Sequence, residues 1–573
     1  MLNLKYIIYN MLKPESLKKL SMRLIFLFGT IILTSNSYSQ NEPFSMRVVN
    51  PGYQLNSAWE LTWGPDDSVW VTENFDYKID RINPANGGKT QLIDISALKD
   101  FINPPKWPQG GLMGMALHPT LYSEWPNPSK PWVYIAYVYH FAASAGCTSG
   151  NGACNYKTRV ARYDYDRSTH TLSNPQVIIE SLNGSNDHNS GRLTVGKISG
   201  VSYLFYTIGD MGAGQFNNIS RTNNAQTRDT LEGKVLRFNL EPDGDAGVLD
   251  KWIPNDNPYT DANSKTTAVW SWGHRNGQGI AFGSNGILYQ SEQQDKSDDE
   301  VNIIEEGRNY GWPKLSGYCD GNYNGLTLAN KPVVSEQVQC AVLNSKDPVY
   351  TLFTDLNPGA LGTDYLTWPT VAVSSIDVYE KNVIPNWNRS LLITSLKAGR
   401  VFRLHLNAAG TSVLDSSTIP AMRGQGRYRD LCISPDGLKI YVACDISGQT
   451  SGPTGSYNGG GTPPANAGRI LEFTYTGPLL SISQDSLYRY VRNTSIIISP
   501  NPASSIVNVR SIRNVSKPLH YKIYDATGKL LLTGNSNNDN FSINVQRLNA
   551  GMYILKLYNA YQINISTEKI IIK

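Results

Sequence analysis

The sequence predicts an all-β protein, a β-propeller followed by a small C-terminal β-sandwich. Three observations carry this reading. From Asn41 to Thr476, short segments rich in Val, Ile, Tyr and Trp alternate with Gly, Pro, Asn and Asp turns, and no helical stretch is expected. Charged residues make up only 17% of the chain while glycine alone supplies 49 positions, a composition suited to many tight turns. After a linker over 477–498, residues 499–573 return to alternating apolar and polar positions. At 573 residues the chain is too long for one ordinary domain.

Taken in order, residues 1–40 read as a targeting segment. In "MRLIFLFGTIILTSNSYSQ", Arg23 precedes an apolar run from Leu24 to Leu33, followed by small polar residues. The run is too short to span a bilayer and fits the core of a signal peptide better than a buried helix. Cleavage is expected near Ser39 or Gln40. Met22 is an alternative start, because the first 21 residues hold no second apolar core. The net charge of +4 is small and dispersed, with no basic stripe that would bind nucleic acid. The six cysteines form three near pairs: Cys147 with Cys154, Cys319 with Cys340, and Cys432 with Cys444. In an exported protein these are expected to be local disulfides; a zinc site is disfavoured, because no C-x-x-C spacing or neighbouring histidine accompanies them.

The repeating unit shows in "ELTWGPDDSVWVTENFDYKIDRINP" (Glu60–Pro84), which reads strand, turn, strand, turn, strand. Similar units occur at "GRLTVGKISGVSYLFYTIGD", "GIAFGSNGILYQSEQ" and "RDLCISPDGLKIYVACD". Their recurrence over more than 400 residues favours a propeller over a single large sandwich. At the C-terminal end, "SPNP", "YDATGK", "LNAGMYILKL" and the final "KIIIK" resemble the C-terminal sorting domain of Bacteroidetes type IX secretion cargo, over Ser499–Lys573. The resemblance implies recognition by type IX secretion machinery and a secreted or cell-surface location.

Among the candidate chemical residues, "GSNDHNSGRL" places Asp187 directly before His188, one of only seven histidines. A histidine can accept a proton near neutral pH, and a carboxylate can orient it, but such a pair in a polar loop is most often a surface feature. Its company decides the matter: "QGGLMGMALHP", "YTIGDMGAGQ", "WGHRNGQGIAF", "SEQQDKSDDEVNIIEEGRNYGWP", "YLTWPTVAVSS", "SLKAGRVFRL" and "GRYRD". Together these resemble the soluble quinoprotein glucose dehydrogenases, also called glucose/sorbosone dehydrogenases, in order from Leu61 to Tyr475. The resemblance implies a six-bladed propeller that binds pyrroloquinoline quinone (PQQ) and calcium.

By that resemblance, Lys397, Arg427 and Arg429 face the carboxylates of the quinone, with Gln109 and Thr370 as further cofactor contacts. Arg275 and Asn276 sit beside its carbonyls, where a cation and an amide stabilise charge that develops on reduction. Backbone carbonyls of Gln294 and Asp295 are the expected calcium ligands at the quinone, although the family has Gly-Pro there. Glu300, Tyr310, Ser316, Tyr318 and Asp320 match a calcium pair away from the cofactor, with Glu336 as a candidate further ligand. Gln215, Tyr365 and Trp368 are expected at the sugar. The implied reaction oxidises an aldose at the anomeric carbon: His188 is general base, Asp187 orients it, and hydride passes to the calcium-bound quinone. Electrons then go to an external acceptor. The family includes homodimers.

Two other classes are weighed. A calcium propeller that hydrolyses lactones would not need the Lys397, Arg427 and Arg429 cluster. A binding module that had lost catalysis would lack the base or these cations, and all are present.

Overall fold

The computed structural model describes residues 43–143, 146–149, 153–244, 250–451, 464–479, 496–511, 517–558 and 564–573. The targeting segment expected over 1–40 lies outside these residues, as does most of the expected linker. The chain divides into two compact units, Met1–Pro478 and Leu479–Lys573.

The first unit is built from six four-stranded antiparallel sheets, each formed mainly by consecutive strands. The first joins Ala58–Trp63, Val69–Glu73, Lys78–Ile82 and Lys89–Asp94, and the second Leu112–Leu117, Trp132–Ala142, Asn155–Asp166 and Thr171–Ser185. The third holds Leu193–Ile198, Val201–Ile208, Lys234–Asn239 and Val269–Trp272, and the fourth Asn276–Phe282, Leu288–Gln293, Asp299–Ile303 and Tyr350–Leu352. The fifth comprises Val373–Tyr379, Ser390–Ser395, Arg400–Leu406 and Val413–Arg423. The sixth takes Tyr428–Ile433, Lys439–Cys444 and Ile470–Tyr475, and its outer strand is Phe44–Val48, with Phe44 opposite Tyr475. Pairing the start of the unit with its end ties the two termini together. The first strand of each sheet touches the first strand of the next, and the sixth returns to the first.

Strand alternation explains the packing. In Asn155–Asp166 the sequence NYKTRVARYDYD buries Tyr156, Thr158, Val160, Tyr163 and Tyr165, and its charged residues take the less buried positions. The first strand of the second sheet departs from this rule. Leu112–Leu117 is buried at every position, as a strand covered on both faces must be.

A buried arginine occupies the place where the first strands meet. Arg192, only 2% exposed, donates to the carbonyls of Trp59 (2.8 Å), Gln278 (2.7 Å), Ser374 (2.7 Å) and Arg429 (3.1 Å). These belong to the first strands of the first, fourth, fifth and sixth sheets. It also bonds Glu60 Oε2 (2.8 Å) and lies 3.1 Å from Asp430 Oδ2. Gly191 beside it has φ +86°, and its carbonyl accepts from Gly114 N–H of the second sheet. A cavity of about 730 Å³ is lined by Glu60, Asp377, Asp430 and apolar residues such as Leu61, Leu193 and Ile376; none of the candidate site residues line it.

Two expectations are corrected. An eight-residue helix, Glu336–Leu343, interrupts the β region; Ser335 caps its N-terminus and Asn344, at φ 47°, its C-terminus. Disulfides join Cys147 to Cys154 and Cys319 to Cys340, but Cys432 and Cys444 are free and buried. These two sit on adjacent strands out of register, Cys432 opposite Tyr441 and Cys444 opposite Tyr428. They also belong to different core clusters, Cys432 with Leu61 and Ala443, and Cys444 with Tyr428 and Val442. No bridge can form between side chains so placed.

The second unit contains a three-stranded sheet (Ile496–Ser499, Ile506–Ser511, Asn540–Asn544) and a four-stranded sheet (Leu530–Ser536, Leu519–Tyr524, Gly551–Tyr558, Asn564–Ile572). Val507, Val509 and Ile543 of the first pack with Ile523, Leu555 and Ile570 of the second in one core.

Candidate active site

In an antiparallel sheet, the start of the first strand and the end of the second lie at the same edge. The candidate residues obey this rule in sheet after sheet. Gln109, His188, Arg275, Thr370 and Arg427 stand at or just before first strands. Asp210, Gln215, Gln294, Asp295 and Lys397 stand just after second strands. One edge therefore gathers side chains scattered over more than 300 residues of sequence.

His188 has φ 52° and its side chain is buried. Its Nδ1 lies 2.7 Å from Asp210 Oδ1. Asp210 is fully buried and also accepts from Gly212 N (2.9 Å), Gln215 Nε2 (2.9 Å), Asn223 Nδ2 (2.9 Å) and Trp312 Nε1 (2.7 Å). Burial pushes its pKa up, but His188, Arg275 and these donors more than offset that and hold it below the usual carboxylate value. Asp187, which the sequence assigns as orienting group, is placed otherwise. Its Oδ1 accepts the His188 backbone N–H (3.1 Å) and lies 3.6 Å from Nε2. Neighbouring side chains diverge, and the left-handed turn at His188 sends the imidazole inward to Asp210. The close orienting carboxylate is thus Asp210, within "YTIGDMGAGQ". Sequence reasoning quoted this stretch without assigning its acid, because Asp before Met-Gly reads as a turn.

Arg275 is held by Gln215 Oε1 at 2.9 and 2.7 Å and by the Gln293 carbonyl at 3.1 Å, with Trp312 5.2 Å away across its face. Gln215 thereby bridges Arg275 to Asp210. Asn276 accepts from Ser190 Oγ (3.1 Å) and donates to Gln293 (3.1 Å). Gln109 accepts from Asn189 N–H (2.9 Å), next to His188. Glu292 accepts the Arg275 N–H and sits 2.8 Å from His274; burial pushes its pKa up to about 8.

Lys397 is buried and Arg427 and Arg429 are half-buried, with few anions to meet them. Lys397, 6% exposed, donates to the carbonyls of Trp368 and Thr370 (2.9 Å), and no carboxylate of the described residues pairs with it. Burial, opposed by Asp299 and Asp364, pulls its pKa from 10.5 to about 8. Arg427 and Arg429 share a single carboxylate, Asp445, at 3.7 and 2.7 Å, and the Nε of each is buried without an acceptor. Thr370 bonds Asp299 (2.9 Å), which also accepts from Gln294 N–H (3.0 Å), so the Lys397 and Gln294 loops share one anchor. Trp368 is buried against Phe216, with ring centroids 6.1 Å apart, whereas Tyr365 is exposed.

Near the expected calcium pair, Glu300 accepts from Gly317 N–H (2.9 Å), and Glu336 accepts from the N–H groups of Ser316 (3.3 Å), Gly321 (3.0 Å) and Tyr323 (3.3 Å). Asp298, absent from the sequence reading, has a buried Oδ1 with no donor. Burial raises all three, Glu336 to about 7. Buried acids crowded on one turn are a donor set that suits a hard cation. Tyr310 turns its hydroxyl to the Ile303 carbonyl (2.5 Å) and stacks on His274, so its side chain is already engaged. Asp320 is exposed and accepts from Asn322 N–H (3.1 Å), Tyr318 is half-buried, and Asp295 lies 3.8 Å from Arg275.

Comparisons with known proteins identify the family. The family model Glucose / Sorbosone dehydrogenase matches residues 55–350 and 354–451, and Secretion system C-terminal sorting domain matches 498–573. Quinoprotein glucose dehydrogenase B of Acinetobacter calcoaceticus is 34% identical over 78% of this chain and 95% of its own length. The aldose sugar dehydrogenase YliI of Escherichia coli is 31% identical over 74% of this chain and 95% of its own. The solved structure of the soluble aldose sugar dehydrogenase of Escherichia coli in the apo-form, 22% identical, covers 76% of this chain and all of that one, with a TM-score of 0.51. The chain belongs to the glucose/sorbosone dehydrogenase family.

Proposed function

We propose that this protein is an exported, PQQ- and calcium-dependent aldose dehydrogenase, its first unit a six-bladed propeller with one sheet per blade, its second a sandwich that addresses it to type IX secretion machinery. No helix among the described residues is long and apolar enough to cross a membrane. The observation that carries the reading is the surplus of buried and half-buried positive charge beside a histidine–carboxylate pair. Lys397, Arg427 and Arg429 are costly to bury unless a polyanion completes them, and the three carboxylates of PQQ do so. Lys397, Arg427, Arg429, Thr370 and Gln109 would hold the quinone, and Arg275 and Asn276 would face its carbonyls. The Gln294 and Asp295 carbonyls would hold calcium there; Glu300, Asp298 and Glu336 would take it at the second place.

The bound quinone supplies the two-electron sink for the anomeric hydrogen. The chain supplies the rest. Asp210 fixes the proton on Nδ1 of His188, which leaves Nε2 free to accept the proton of the anomeric hydroxyl. Trp368 offers an apolar face to the sugar, and Gln215 steers Arg275. The product is a lactone.

The test is dye reduction by the full chain with PQQ, calcium and an aldose panel. His188→Ala should lower turnover about 10²- to 10⁴-fold. Activity without quinone, or full activity in the variant, would defeat the reading. The Lys397 charge gives a separate expectation. An amine with a pKa of about 8 is charged below that pH and neutral above it. The on-rate of PQQ to the apoprotein, followed by absorbance, should therefore fall as pH rises from 7 to 9, and Lys397→Met should abolish that dependence.

A further inference from the structure

We propose that Asp187 is the outlet for the proton that His188 takes from the sugar, while Asp210 orients the imidazole and steadies its cation without taking the proton; this rests on His188 being the general base. The two carboxylates have opposite surroundings. Asp210 is sealed, with five donors on its two oxygens. A group so saturated has no lone pair free to take a proton and no route to water. The Asp187 side chain is 32% exposed. Its Oδ1 lies 3.6 Å from Nε2, the ring nitrogen that Asp210 does not occupy, and its Oδ2 accepts from no group among the described residues. A Cβ placed on Gly212 would lie 3.2 Å from Oδ2 and 3.1 Å from Asn218 Nδ2, a fully buried amide without a protein partner among the described residues, so both border the space over Gly212. Gly212, at φ +63°, keeps that space free of a side chain.

The relay balances simply. The anomeric O–H bond breaks and an N–H bond forms at His188 Nε2. Once product has left, that N–H breaks, an O–H forms at Asp187, and Asp187 passes the proton to solvent. No electrons move, and both groups return to their starting state. The 3.6 Å separation exceeds a hydrogen bond, so transfer needs Asp187 to swing inward or one water between.

The test compares Asp187→Asn, Asp187→Glu and Asp210→Asn in the full chain loaded with PQQ and calcium. In Asp187→Asn the first turnover, read as quinone reduction in stopped flow, should be slowed far less than the later ones, because the base has to be regenerated only after it. Later turnovers should slow about 10- to 100-fold and recover as formate or imidazole is added. Asp187→Glu should retain fast later turnovers. Asp210→Asn should slow the first turnover itself and gain nothing from the added formate or imidazole. A second readout needs neither quinone nor sugar: in the apoprotein labelled at its histidines, exchange with water of the proton that Nε2 of His188 carries in the imidazolium form should be about tenfold slower in Asp187→Asn. Unchanged exchange, or a first turnover as slow as the later ones, would overturn the relay. If the loaded wild type oxidises no aldose, the general-base reading fails, and the exchange measurement still decides whether Asp187 is the outlet.

Discussion

Asp210→Asn is expected to reduce turnover about 10²- to 10⁴-fold while quinone binding persists. The carboxylate does two things that an amide cannot. Its charge stabilises the imidazolium that forms when His188 takes a proton, across a 2.7 Å contact in a site closed to water. It also accepts on both oxygens: Oδ1 from His188 and Gly212, Oδ2 from Gln215, Asn223 and Trp312. An asparagine of the same shape must turn its NH₂ toward one set of donors or the other. Turned toward His188, it forces the imidazole into the tautomer whose Nε2 carries the proton and cannot act as base. Turned toward Trp312 and Gln215, it leaves those donors unpaired and loosens Gln215, which holds Arg275. Lys397, Arg427 and Arg429, the cations proposed to hold the quinone, touch none of these groups, so PQQ titration should give a Kd within a few-fold of wild type. Near-normal turnover would mean that Asp210 is a packing residue and that another group orients the base.

That Asp210 escaped the sequence reading while His188 did not has a physical cause. Histidine is rare in this chain, and a polar loop around one invites a chemical question. Asp210 is contiguous with nothing distinctive, and its role exists only because the second strand of the third sheet ends beside the first strand's start. Strand alternation and turn residues made the β architecture legible, since each sheet is local in sequence. The cation set was legible through motif resemblance. The relation between sheets was not, because no local pattern reports it. The same gap explains the third cysteine pair. Cys432 and Cys444 are near in sequence and on adjacent strands, yet register and face keep them apart. Asp298 and Asp299 show the limit most sharply. They are adjacent acids on a turn, but one points an unpaired oxygen toward the Gly317 turn and the other anchors Thr370 and Gln294.

Arg192→Gln should cost the first unit about 3–5 kcal/mol at pH 8, with a smaller deficit at pH 5. Among the described residues, the guanidinium alone bonds the first strands of four other sheets at once, through four carbonyls between 2.7 and 3.1 Å. Glutamine offers two N–H donors on a shorter stem, so at least two of those buried carbonyls lose their partner. The charge effect is larger and sets the pH dependence. Burial and the neighbouring Asp430 push Glu60 up to about 8 even with Arg192 present, and burial raises Asp430 too. Below about pH 8 Glu60 therefore carries its proton, and Arg192 faces one charged acid fewer. Removing the cation raises both acids further above their unfolded values, so the folded variant binds more protons than the unfolded chain over a wider range. Stability then falls as pH rises, and more steeply in the variant than in wild type. All 12 tryptophans lie between Trp59 and Trp387, so urea unfolding followed by tryptophan fluorescence reports the first unit alone. A deficit below about 1 kcal/mol at both pH values would show that the six sheets hold together without this axial residue, and that its bonds to them are incidental to their assembly.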